Sequence, residues 1–170
     1  MAVSQNAFPF IVFPHPFIGV RITYQITTRL LDFMVKVEGE RLVAYRDTNG
    51  TLTIGVVHTG LDVTPGLRIN SETSRALLLR DLAWATNCVS KNVHVALTEP
   101  QWIALVSFVF KEGEHAFIAS TLLRLLNAGD YVSIPTQPMR WTKETINNRL
   151  VENSGLALRR RLEISLWNED

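Results

Sequence analysis

The sequence predicts an α+β fold, mostly helical, in which a small β-hairpin lobe follows a first helix and a larger helical lobe completes the chain. Three observations predict it. Apolar residues recur at helical spacing over most of the chain beyond residue 26. That period is broken once, by a β-branched and aromatic stretch around Asp47-Thr48-Asn49-Gly50. Capping residues and glycines then punctuate the later helical segments. A chain of 170 residues with 46% apolar side chains suits one globular domain with a sizeable core.

In chain order, residues 1–26 form an N-terminal extension and residues 27–170 the domain. The first twenty residues carry no Asp, Glu, Lys or Arg, but Pro9, Pro14 and Pro16 break any helix there. A signal or membrane helix is therefore not expected, and no basic residue precedes the apolar run as a secretory leader requires. Ile18, Val20, Ile22, Tyr24 and Ile26 alternate with polar or small residues, so Ile18–Ile26 reads as a half-buried strand folded on the domain or on a partner. Ile26, Leu30, Phe33, Met34 and Val37 then recur at helical spacing, and Gly39 supplies a stop.

Glu40 to Val57 reads as a hairpin, and residues 60–69, with Pro65-Gly66, as a loop. Asn70 or Ser71 caps a helix reaching Val89 through Leu78, Leu82 and Ala85. Thr98 with Gln101 is a capping box for a helix through Trp102, Leu105 and Val109. Ser120 or Thr121 opens a short helix closed by Gly129, and Pro135 and Pro138 bracket a loop before Trp141. The last helix starts near Gly155 and turns Leu158, Leu162 and Leu166 to the core. A cleft between the two lobes is the natural ligand site.

Composition narrows the function. A net charge of +1, from 17 basic and 16 acidic residues, gives no long-range attraction to nucleic acid or to anionic membranes. Arg159-Arg160-Arg161 point in different directions on a helix, as solvated or paired charges. The single Cys88 cannot form an internal disulfide and lies among apolar residues at helical spacing, as an inert buried thiol. His15, His94 and His115 have no metal-ligand spacing with one another or with a cysteine, so zinc is not expected. Trp84, Trp102, Trp141 and Trp167 read as core residues.

Three polar residues carry candidate chemistry. Glu38 ends the first helix at the negative end of its dipole, a setting that suits a proton donor. Asp47 ends the first hairpin strand and Thr53 lies on the second. If Thr48-Asn49-Gly50 form a three-residue loop with Gly50 left-handed, Asp47 faces Thr51, and Thr53 falls on the face of Asp47. A two-residue Asn49-Gly50 turn would put Asp47 and Thr53 on opposite faces. Two carboxylates across a cleft match glycoside hydrolysis, but a solvated helix-end Glu and a turn-forming Asp fit the same spacing.

The string Glu38-Gly39, Arg41-Leu42, Ala44-Tyr45, Asp47, Gly50, Thr53-Ile54-Gly55 and His58-Thr59-Gly60 resembles the glycoside hydrolase family 24 lysozymes, the T-even and lambdoid phage endolysins. The resemblance runs from about Thr28 to Trp167. It includes Leu97-Thr98, Ala104 to Phe108, Gly113, Ser120 to Leu123, Arg140-Trp141, Arg159-Arg160 and Glu163. It implies a lysozyme-like fold and a muramidase that cleaves the β-1,4 bond between N-acetylmuramic acid and N-acetylglucosamine. Glu38 would be the general acid, Asp47 the base or electrostatic partner, and Thr53 a hydroxyl positioning water. It also implies inversion, with the two carboxyls roughly 6.5–9.5 Å apart. The resemblance further implies that no cofactor is needed and that the partner is bacterial peptidoglycan, met at the cell wall after synthesis in the bacterial cytoplasm.

Two residues depart from that family. Val57 replaces the glycine before His58, and its neighbour Val56 suggests a hairpin adapted to strand conformation. Lys111 replaces an amide on the cleft wall, so a substrate-binding group that both donates and accepts becomes one that only donates. Beside the site, Gly50 shapes the turn, and His58 is expected to brace the hairpin base by hydrogen bonds. The rival reading is a binding module on the same fold, holding peptidoglycan or a protein with weak or absent turnover.

Overall fold

The structure is a computed structural model and describes residues 24–146 and 148–169. The expected N-terminal strand mostly lies outside the described residues, and its described end, residues 24–26, has no regular structure. Tyr24 nonetheless docks. Its ring stacks on Trp102 with centroids 5.4 Å apart, and its hydroxyl accepts from the Leu97 N–H at 2.9 Å.

Helix α1 spans Thr28–Glu38, capped by the Thr27 hydroxyl and stopped by Gly39 at φ +78°. Its buried face is Leu30, Leu31, Phe33 and Met34, as the spacing predicts. The small lobe follows as an antiparallel sheet in the order β1 (Arg41–Arg46), β2 (Leu52–Gly55), β3 (His58–Thr59). Residues 60–69 are not a detached loop. Ala44 N–H donates to the Leu67 carbonyl at 2.9 Å, and Ile69 N–H to that of Leu42 at 3.0 Å. These bonds cover the outer edge of β1, which would otherwise expose unpaired backbone groups.

The expected helix from Asn70 to Val89 is two helices, α2 (Ser71–Asp81) and α3 (Ala83–Asn92), broken at Leu82. Asn70 caps α2 as expected, its side chain accepting from the Thr73 N–H at 2.8 Å. Cys88 is buried on α3, and burial pushes its thiol up to about 11, so it stays protonated and unreactive near neutral pH. Helix α4 (Glu99–Glu112) is the axis of the large lobe. It opens with the Thr98–Gln101 capping box and buries Trp102, Ile103, Leu105, Val106, Phe108 and Val109. Its C-terminal stop, Gly113, leads into the short α5 (Glu114–Ile118), and Ser120 caps α6 (Thr121–Asn127).

The proline-bracketed segment forms two 3-10 turns, Ile134–Thr136 and Pro138–Arg140. An exposed hairpin that the sequence reading did not anticipate follows, β4 (Lys143–Ile146) and β5 (Arg149–Glu152), with Asn148 at φ +60° in its turn. Helix α7 (Ser154–Trp167) closes the lobe against α4. Its inward face departs from the expected leucines. Leu166 is buried, but Leu158 is exposed and Leu162 only half-buried. Arg159, Arg160 and Glu163 point inward instead, together with Trp167.

Candidate active site

The turn between β1 and β2 decides whether Asp47 and Thr53 can act together, and it is the bulged form. Asp47 N–H donates to the Thr51 carbonyl at 2.9 Å, Gly50 N–H donates back to the Asp47 carbonyl at 3.0 Å, and Gly50 sits at φ +82°. Arg46 pairs with Leu52 and Tyr45 with Thr53, so Tyr45, Asp47 and Thr53 share one sheet face. Asp47 Oδ1 accepts the N–H groups of Asn49 and Thr51, at 2.9 and 2.8 Å. Thr53 is a buried residue whose hydroxyl donates to the Thr51 carbonyl at 3.1 Å. Its oxygen keeps its lone pairs for another donor.

Glu38 ends α1, three residues before β1 begins, with its side chain 13% exposed. It is not a carboxyl held by the helix end alone, because Arg159 donates to its Oε1. This arginine belongs to a buried charge network. Arg159 also donates from Nε to Glu163 Oε1 at 3.2 Å and from Nη2 to the Ser107 carbonyl at 2.9 Å. Glu163 further accepts from the Ser107 hydroxyl at 2.7 Å and from Arg160. Arg160, fully buried, reaches Glu112 and the Trp141 carbonyl. Burial pushes the Glu163 carboxyl up, against the opposing pull of Arg160 and Arg159.

The residues that hold Glu38 were therefore missing from the sequence reading of the site. The signal was present: Arg159, Glu163 and Leu166 follow the spacing of one helix face, which puts the pair with the core rather than in solvent. Lys111 lies in the last turn of α4 beside Glu112, but its side chain is exposed. Trp84 is also corrected: it is 43% exposed and not a core residue, whereas Trp102 and Trp167 are buried and Trp141 packs edge-on against Phe108.

Val57 is not an adapted strand residue. It occupies the turn between β2 and β3 at φ +54°, where a β-branched side chain crowds its own backbone. Val57→Gly is expected to relieve about 1–2 kcal/mol of that crowding and to lose roughly 0.5–1 kcal/mol through chain entropy. The melting temperature should thus stay level or rise slightly. A clear fall would mean that the packing of the valine side chain outweighs the strain.

His58 joins the lobes. Its Nδ1 lies 2.7 Å from Asp81 Oδ2 at the end of α2, and its Nε2 lies 3.2 Å from Asp62 Oδ1. The His58 hydrogen bond, helped by a backbone N–H, holds the Asp62 carboxyl below the usual carboxylate range. For an acid whose folded value is depressed, the stability contribution is full above the unfolded value and is lost as pH falls through the folded one. Asp62→Asn should therefore melt below the wild type at pH 6, with the gap closing toward pH 3. A gap unchanged over that range would contradict the contact.

Comparisons with known proteins agree with this architecture. A family model described as phage lysozyme matches residues 35–163. The endolysin of Salmonella phage P22 is 40% identical over 123 residues, covering 70% of this chain and 84% of that protein. The solved endolysin from Escherichia coli O157:H7 phage FAHEc1 superposes with a TM-score of 0.81 at 32% identity, over 86% of this chain and 94% of that one. The muramidase domain of SpmX from Asticaccaulis excentricus superposes at 0.80, also at 32% identity, over 86% and 99% of the two chains. With the match to the family model covering most of its length, the chain belongs to the phage lysozyme family and is a glycosidase of the lysozyme type.

Proposed function

We propose that this protein is an endolysin-type muramidase that hydrolyses the β-1,4 bond between N-acetylmuramic acid and N-acetylglucosamine in bacterial peptidoglycan. The observation that carries the reading is the bulged turn, which sets Asp47 and Thr53 on one face with complementary hydrogen-bonding capacity. Glu38 donates a proton to the leaving oxygen. Arg159 engages its Oε1, so the proton travels from Oε2. Asp47 spends Oδ1 on the turn and presents Oδ2 to water, while the Thr53 oxygen accepts a second hydrogen of that water and aims it. Activation of water by Asp47 on the far side of the sugar gives inversion. Lys111, exposed in the last turn of α4, contributes a donor to the glycan.

In this reading residues 27–170 are the muramidase unit and residues 1–26 an extension to it. The enzyme is made in the bacterial cytoplasm and acts at the cell wall. No helix among the described residues is long and apolar enough to cross a membrane. The second reading, a glycan- or protein-binding module, draws on the strained Val57 in the turn between β2 and β3.

Product analysis on purified murein separates these readings. Hydrolysis yields a reducing N-acetylmuramic acid end that appears first as the α-anomer. A 1,6-anhydro end would instead mark a lytic transglycosylase, a first-formed β-anomer would mark retention, and absence of any product would mark a binding module.

A further inference from the structure

Beside the proposed catalytic face lies a second surface whose chemistry is that of a sugar site. The Trp84 indole, 43% exposed, stacks on the Phe110 ring with centroids 6.0 Å apart and an interplanar angle of 22°. The two rings form part of the wall of a cavity of about 370 Å³, completed by Val57, Thr59, Arg80 and Asp81. That volume is at the small end of ligand clefts, roughly 300–1,000 Å³, and suits one sugar ring.

The cavity continues the face already described. Thr59 pairs with Thr53 across β2 and β3, so the two side chains point to the same side of the sheet. A glycan strand seated at Glu38 and Asp47 therefore has a path along the sheet face into this cavity.

We infer that Trp84 is a glycan-stacking residue, and that its cavity binds one further N-acetylhexosamine of the strand whose cleavage the proposed function describes. This rests on that function only for the identity of the strand. A pyranose ring has an apolar C–H face, which suits the exposed indole, and hydroxyls and an amide at its rim. Thr59 can donate and accept there, Arg80 donates, and Asp81 accepts. The apolar side chain of Val57 adds a second contact next to the ring. An exposed indole held flat by a neighbouring ring meets such a ligand with little side-chain ordering left to lose.

The test uses binding, not turnover. Glu38→Gln protein is titrated with a hexasaccharide of alternating N-acetylglucosamine and N-acetylmuramic acid, and with the corresponding disaccharide. Adding Trp84→Ala should weaken hexasaccharide binding by roughly five- to tenfold, the scale of one lost ring contact. It should leave disaccharide binding unchanged, and Trp84→Tyr should restore most of the hexasaccharide affinity. Unchanged hexasaccharide affinity in Trp84→Ala overturns the inference. So does an equal loss for both ligands that tyrosine fails to rescue. A wild-type protein that binds the hexasaccharide through Trp84 but releases no reducing ends would refute hydrolysis and leave this site standing. A protein that binds neither glycan overturns both.

Discussion

Glu163→Ala is expected to destabilise the fold by about 3–5 kcal/mol, because it strips the shared carboxylate from two buried guanidiniums. Arg159 and Arg160 are 5% and 0% exposed, so neither can reach water once Glu163 is gone. Each keeps one other carboxylate, Glu38 for Arg159 and Glu112 for Arg160, together with a backbone carbonyl. At roughly 2–4 °C per kcal/mol for a domain of this size, the melting temperature should drop by about 6–20 °C. Glu163→Gln should fall between, since the amide keeps an acceptor but turns an NH₂ toward a guanidinium that can only donate. Activity should fall with both variants, because Glu163 aims the guanidinium that holds Glu38. An alanine variant melting within about 2 °C of wild type would show that the network is not needed to hold α7 against α4.

Asp47→Asn is expected to lower the rate of murein hydrolysis by about 10²–10⁴-fold, the usual worth of a positioned general base. The comparison with Asp47→Ala separates chemistry from turn geometry. Asparagine retains an oxygen that can accept from Asn49 and Thr51, so its hairpin should melt with the wild type. Alanine removes both acceptances and should cost roughly 1–2 kcal/mol in addition. Equal stability with large loss of rate in the Asn variant is the signature of a water-activating carboxylate. A rate within a few-fold of wild type would reduce Asp47 to a turn former.

Local chemistry made much of this legible in the sequence. The Thr98–Gln101 capping box, the Asn70 and Ser120 caps and the Gly39 stop depend on residues within four positions of one another, and each stands where the pattern puts it. The bulged turn was one of two forms the sequence allowed, and the left-handed Gly50 with the Asp47–Thr51 bonds selects it. Long-range partnership was less legible. Arg159 and Arg160 point inward because α1 and α4 bring Glu38, Ser107 and Glu112 to them, from positions 48 to 121 residues away. Val57 misleads because valine favours strand, while the return into β3 demands a left-handed residue regardless of type. Trp84 was readable after all. The stripe Leu78, Leu82, Ala85 and Val89 leaves it about 100° around the helix from Ala85, toward solvent.

The most direct measurement is the release of reducing ends from purified murein by wild type and by Glu38→Gln, with thermal melts of both. Glutamine keeps an Oε1 to accept from Arg159, so the fold and the network should persist and the melting temperatures should agree within a few degrees. What glutamine lacks is a transferable proton, and the account predicts a loss of about 10²–10⁴-fold in rate at unchanged stability. A folded Glu38→Gln protein that clears murein within tenfold of the wild-type rate would contradict the assignment of Glu38 as the acid.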